Sequence, residues 1–146
     1  MSHLTRLRDN INKASKQHMA LAAVFEEFAH FVKDCVLSPA LANHSILVSL
    51  HLDQYCFTTS FAGRLVTFVF SSSMEDKNNG DLIGNVTCYL KKDFPEPKQI
   101  EFGGFTFNEA GITNVEIPGS NETIHITNDL GTFFMALHFI HDSLSQ

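Results

Sequence analysis

Leu4, Leu7, Ile11, Ala14, His18, Leu21, Phe25, Phe28, Val32 and Cys35 follow one another at alternating spacings of three and four. This repeat keeps one apolar seam along one side of a helix. A single helix over this stretch would be roughly 50 Å long at about 1.5 Å per residue, longer than a domain of this size is wide. The spacing therefore predicts a helix that protrudes, breaks or meets another chain. Its character changes near residue 18. Before that point only one stripe is apolar. After it Met19, Ala20, Ala22, Ala23, Val24, Phe31 and Val36 make nearly the whole circumference apolar, the mark of a helix buried on several sides. Residues 1–18 are expected to form an exposed or partner-contacting arm, and 19–37 the main helix covering the core. Ser38-Pro39 ends the helix, because the residue before a proline disfavours helical geometry. His18 stands at a seam position, where a polar side chain fixes register or oligomeric state. The plain alternative is a partly exposed histidine at a bend.

From Ser45 to Thr127 the period changes to two. Ile46, Val48, Leu50 and Leu52 alternate with Leu47, Ser49 and His51; Tyr55, Phe57, Thr59 and Phe61 alternate with Cys56, Thr58 and Ser60. These patterns predict strands with one wetter face. Ala62-Gly63-Arg64 reads as a tight hairpin into Leu65 to Ser71, where both alternating sets are apolar, so that strand is expected to be central and covered on both faces. Ser71 to Gly80 is the most polar stretch and reads as a loop, followed by a strand over Asp81 to Lys92 and a stiff connection from Asp93 to Lys98 with Pro95 and Pro97. Gly103-Gly104, between Ile100 and Phe102 on one side and Phe105 and Phe107 on the other, marks a bulge or bend. Turns at Asn108 to Gly111 and Pro118 to Asn121 separate the last strands. Thr127 or Asn128 then caps a final helix, with Leu130, Phe133, Phe134, Leu137, Ile140 and Leu144 on its apolar face. The expected fold is a single α+β domain over residues 1–146: a long N-terminal helix, an antiparallel meander of six or seven strands, and a C-terminal amphipathic helix on the sheet.

Charge sharpens the division of the first helix. Arg6, Arg8, Lys13 and Lys16 against Asp9 give the arm +3, which leaves −9 on the rest of a chain whose overall charge is −6. An acidic body argues against a nucleic-acid surface, which draws its affinity from Lys and Arg at phosphates. No apolar run of about 18 residues exists, so no membrane span is expected. The N-terminal stretch lacks the form of a secretory signal and reads as structure. Cys35, Cys56 and Cys88 lie among apolar neighbours without a Cys-x-x-Cys spacing and read as reduced core thiols of a cytoplasmic protein. The Asn43, Asn85 and Asn121 glycosylation-type triplets read as chance without a secretory context.

Candidate chemistry is sparse. Glu27 with His30 and His138 with His141 each share a helix face and could together supply four metal ligands, against the plainer reading of surface or core histidines. Cys56 and His51 fall on adjacent strands, but no nucleophile elbow, phosphate loop or dinucleotide fingerprint accompanies them. No cofactor is expected. Fourteen phenylalanines with no tryptophan carry the strongest compositional signal. They fit a large core whose far sheet face meets a second subunit. They also fit a curved sheet around an apolar-ligand pocket lined by Phe57, Phe68, Phe70, Tyr89, Phe102, Phe105, Phe134 and His138, or simply a phenylalanine-rich core. In layout alone the chain resembles type III secretion chaperones, though it lacks their helix in mid-sequence. The function expected first is a non-enzymatic homodimeric interaction protein, adaptor- or chaperone-like, whose dimer seam is Leu4, Leu7, Ile11, Ala14 and His18. A ligand-binding pocket and a metal-dependent enzyme are the alternatives.

Overall fold

The computed structural model describes residues 2–37, 45–75, 80–116, 119, 122–127 and 129–146. The N-terminal repeat forms one unbroken helix, α1, His3–Val36, of 34 residues. Ser2 caps it, its hydroxyl accepting the Thr5 backbone N–H at 3.1 Å, which satisfies one of the orphan donors of the first turn. At the other end the Leu37 N–H reaches the carbonyls of Asp34 and Cys35, and Lys33 lies in the last turn, where a cation favours the helix dipole. The buried residues of α1 begin only at Leu21. The helix therefore does not break at His18, and it runs past the end of the core.

Seven antiparallel strands follow in meander order: β1 (Leu47–His51), β2 (Cys56–Phe61), β3 (Arg64–Met74), β4 (Leu82–Lys92), β5 (Lys98–Phe107), β6 (Ile112–Glu116) and β7 (Thr123–His125). The final helix, α2, spans Asp129–Ser143. The β2–β3 hairpin turns at Ala62-Gly63, both at positive φ, the geometry that matches the twist of tightly joined strands. β3 is longer than its pattern suggests: Ser71–Met74 do not loop out but pair with Leu82–Asn85. The polar residues there continue the ladder because backbone pairing is indifferent to side-chain polarity at a sheet end. The expected helix stop at Ser38-Pro39, the cap at Asn128 and most of the Pro118 to Asn121 turn lie outside the described residues.

One sheet face carries the core. Val66, Phe68 and Phe70 of β3, Phe57 of β2, Val86, Cys88 and Leu90 of β4, and Phe105 and Phe107 of β5 are buried on it. Phe25 and Phe28 of α1 and Phe139 of α2 press into the same layer. Phe57 and Phe68, directly opposite across β2 and β3, stack with centroids 4.6 Å apart, and Phe28 meets Phe105 edge-on at 5.7 Å. Offset and edge-to-face pairs of this kind add to the burial of the rings themselves. The expected bulge is present: the β4–β5 register shifts between Cys88 and Tyr89, opposite Glu101 to Gly103. A Cβ at Gly104 would run into the Val86 carbonyl oxygen, so only glycine lets the two backbones approach there.

The other face departs from expectation. β3 is central, but none of the described elements covers its second side, and the phenylalanines of β2, β3 and β5 all turn to the helix layer. Leu65, Thr67 and Val69 are half-buried among their neighbours on the uncovered side. Rows of outward residues run across paired strands there: Ser49, Thr58, Thr67 and Tyr89 in one, and His51, Cys56, Val69 and Thr87 in the next. The chain is thus a two-layer α+β domain with both helices on one face of the sheet.

Candidate functional site

Where α1 leaves the sheet, its side chains make the contacts that fix the direction of the arm. On β3 the inward alternation of Phe68 and Phe70 continues to Ser72, so the strand end offers a hydroxyl to the helix, and Met74 beyond it is exposed. His18 Nδ1 lies 2.6 Å from Ser72 Oγ. Its ring sits against Phe70 at 5.5 Å and edge-on to Tyr55 at 5.6 Å. Tyr55 closes a 3₁₀ turn over Leu52–Gln54 and takes a left-handed conformation, φ 55°, which costs a non-glycine residue on the order of 1 kcal/mol. The Phe70 N–H donates to the Tyr55 carbonyl at 2.8 Å and holds the turn in place.

One turn toward the N-terminus, Asp81 receives the Lys13 ammonium at 3.0 Å and the Gln17 amide at 3.1 Å. Gln17 also accepts the Leu82 N–H at 3.1 Å. The hydrogen bonds from Lys13 and Gln17, together with the Lys13 charge, hold the Asp81 carboxyl below its usual range. The Glu75 N–H donates to the Asp81 carbonyl at 3.1 Å, so two acidic residues stand together at the base of the arm. Beyond this clamp none of the described residues of α1 is buried. Leu4, Leu7 and Ile11 are 66%, 43% and 68% exposed, while Ala14 and His18 are half-buried. The five seam residues therefore divide: three project from the overhang, Ala14 is half-buried at its base, and His18 faces its own sheet.

The other singled-out residues are distributed more widely. Phe57, Phe68, Phe70 and Phe105 come together, packed on one another and on α1 as the centre of the core. Phe102 and Phe134 flank that core, Tyr89 lies on the opposite sheet face, and His138 is exposed on α2. His138 stacks on Phe134 and pairs with Asp142 at 3.3 Å. Glu27 and His30 point away from the sheet on the exposed side of α1. Among the described residues no group of three or more His, Cys, Asp or Glu is placed to hold a metal ion. His51 and Cys56 are direct cross-strand neighbours. The Cys56 thiol is pushed up by burial and by Asp53, which favours the protonated, weakly nucleophilic form. Burial, with Asp142 adding to it, pushes Cys88 up much further.

Ser72, Tyr55 and Asp81 are not legible in the sequence as site residues. The signal for Ser72 lies in the unbroken alternation Phe68, Phe70, Ser72; nothing in the sequence marks the left-handed Tyr55. Among the described residues no helix is long and apolar enough to cross a membrane. No protein-family model, curated protein or solved structure matches the chain.

Proposed function

We propose that this chain is a non-enzymatic, homodimeric interaction protein whose docking element is the overhanging half of α1. The observation that carries the reading is the exposed Leu4, Leu7 and Ile11, standing in heptad register with the buried Leu21, Phe25 and Phe28 of the same helix. A seam that is core at one end and bare at the other asks for a second helix. A second copy supplies it in antiparallel register: Ile11 meets its counterpart, and Leu4 of one chain reaches Ala14 and His18 of the other.

Charge favours the same pairing. The arm carries +3, and its base carries Glu75 and Asp81. Antiparallel arms bring Arg6 and Arg8 of each chain toward the acidic base of its partner and set Asp9 opposite Lys13, although Arg6 also faces Lys16; a parallel pair sets every one of these charges against its own like. The polar contacts of His18 are made within its own chain, so at the seam it offers the partner a ring edge and fixes where pairing stops. With three large apolar side chains per arm the seam is small, and association depends on concentration.

The test is the mass in solution at micromolar concentration for the unaltered protein and for the double variant Leu7→Asp, Ile11→Asp. Two carboxylates in the seam are expected to halve the mass while leaving the circular dichroism of the folded domain in place. An unaltered protein that sediments as a single 16.3 kDa chain contradicts the reading, as does a double variant of undiminished mass.

A further inference from the structure

We infer that the uncovered face of the sheet is a second self-association surface, packed sheet to sheet against another copy of this chain. The inference goes beyond the arm and rests on a different observation. Across the middle of that face the outward residues are Thr58, Thr67 and Tyr89 in one row and Cys56, Val69 and Thr87 in the next. All six are half-buried, and none carries a formal charge. Charged residues are 18% of the chain, and they concentrate on surfaces that stay in water. Here the first met are Lys91, one row beyond Tyr89, and Glu101, one strand beyond it. Loss of charge at the centre with charge at the rim is the compositional mark of an interface, more than bulk hydrophobicity is.

Two further properties select a second copy as the occupant. The hydroxyls of Thr58, Thr67, Thr87 and Tyr89 are each both donor and acceptor, so the face is complementary to itself, as a two-fold contact requires. The remainder of the body is acidic, and this neutral face lets two copies meet without setting like charges against each other at its centre. The size also suits. Strands about 4.8 Å apart and outward positions from Leu65 to Ser73 on β3 give a projected footprint on the order of 500 Å² over β1 to β5. Standing side chains raise its accessible area toward the roughly 800 Å² that each partner gives to a standard interface. The face lies on the side of the sheet opposite α1, so it and the arm can be occupied at once; together they build a dimer of dimers.

A charge swap tests it. Thr67 lies on the central strand of the face, so Thr67→Glu places like charges close together across any two-fold axis through it. The full-length Thr67→Glu protein and the full-length Thr67→Lys protein are each expected to show half the mass of the unaltered chain. An equimolar mixture of the two is expected to recover the full mass, which a misfolded variant would not do. Undiminished mass in either single variant, or a mixture that stays at half mass, overturns the inference. The Leu7→Asp, Ile11→Asp protein is measured separately, so loss of the arm contact and loss of the sheet contact are distinguished.

Discussion

The same heptad position should mean different things at the two ends of α1. Leu7 and Phe28 both occupy the second apolar position of the repeat, three heptads apart, yet Phe28 is 0% exposed and Leu7 is 43% exposed. Phe28→Ala removes a ring that contacts Phe25, Phe57 and Phe105. Burial and cavity together make this cost about 3–5 kcal/mol, and three aromatic neighbours put it at the upper end. With unfolding entropy of about 2.1 cal/mol/K per residue over 146 residues, a loss of about 4–5 kcal/mol lowers Tm by about 13–16 °C. Leu7 lies outside the core of the described residues, so Leu7→Ala should cost under about 0.5 kcal/mol, or less than about 2 °C, in dilute protein. Its effect should grow with concentration as association begins to stabilise the folded state. Differential scanning fluorimetry over a hundredfold range of protein concentration reads both. If Leu7→Ala lowers Tm by more than about 5 °C in dilute protein, independent of concentration, the overhang is part of the chain's own core and the division of α1 is wrong.

Other positions give sharper local readings. Thr132 is buried and its hydroxyl donates to the Ile126 carbonyl at 2.7 Å, tying the start of α2 to the residue after β7; Thr132→Val removes that buried bond and is expected to cost about 1–3 kcal/mol in urea unfolding, with an unchanged midpoint refuting the bond's role. Gly104→Ala forces a methyl against the Val86 carbonyl, so a loss of stability above the few tenths of a kcal/mol typical of surface changes is expected, and a neutral or stabilising outcome would show that the bulge can open. For the clamp at the arm's base the folded Asp81 carboxyl titrates below its unfolded value, so its contribution is present above about pH 4 and is lost as pH falls through the lowered folded value. Protection of the α1 amides near Lys13 and Gln17, taken relative to the intrinsic exchange rate at each pH, should fall over that window, and Asp81→Asn should remove this pH dependence of protection; the same dependence in the variant would assign it elsewhere.

Much of the architecture is written in periodicity. The change from a three-four spacing to alternation near Ser45 separates helix from sheet because a buried helix face and a buried strand face repeat at different intervals. Gly103-Gly104 announces the β4–β5 bulge, since a glycine pair within an apolar strand has few other uses. Three things are hidden for physical reasons. The end of β3 is polar yet paired, because strand pairing needs only backbone groups. The base of the arm is assembled from Gln17, His18, Tyr55, Ser72 and Asp81, residues brought together only by tertiary packing. The bare sheet face reads as a covered one because Leu65 and Val69 suggest a second buried side; the register shows Thr67 between them, in a row with Thr58 and Tyr89.

Cysteine cross-linking tests the pairing of the arms most directly. In an antiparallel seam Ile11 meets its own counterpart, whereas Leu4 lies far from its own and opposite residues 14–18. Under mild oxidation Ile11→Cys is expected to form a covalent species of twice the 16.3 kDa chain mass, well above the level given by the native cysteines alone, and Leu4→Cys is expected to remain at that native level. Equal cross-linking at both positions would mean a parallel pair, and none above background at Ile11→Cys would mean that the exposed half of α1 does not pair with itself.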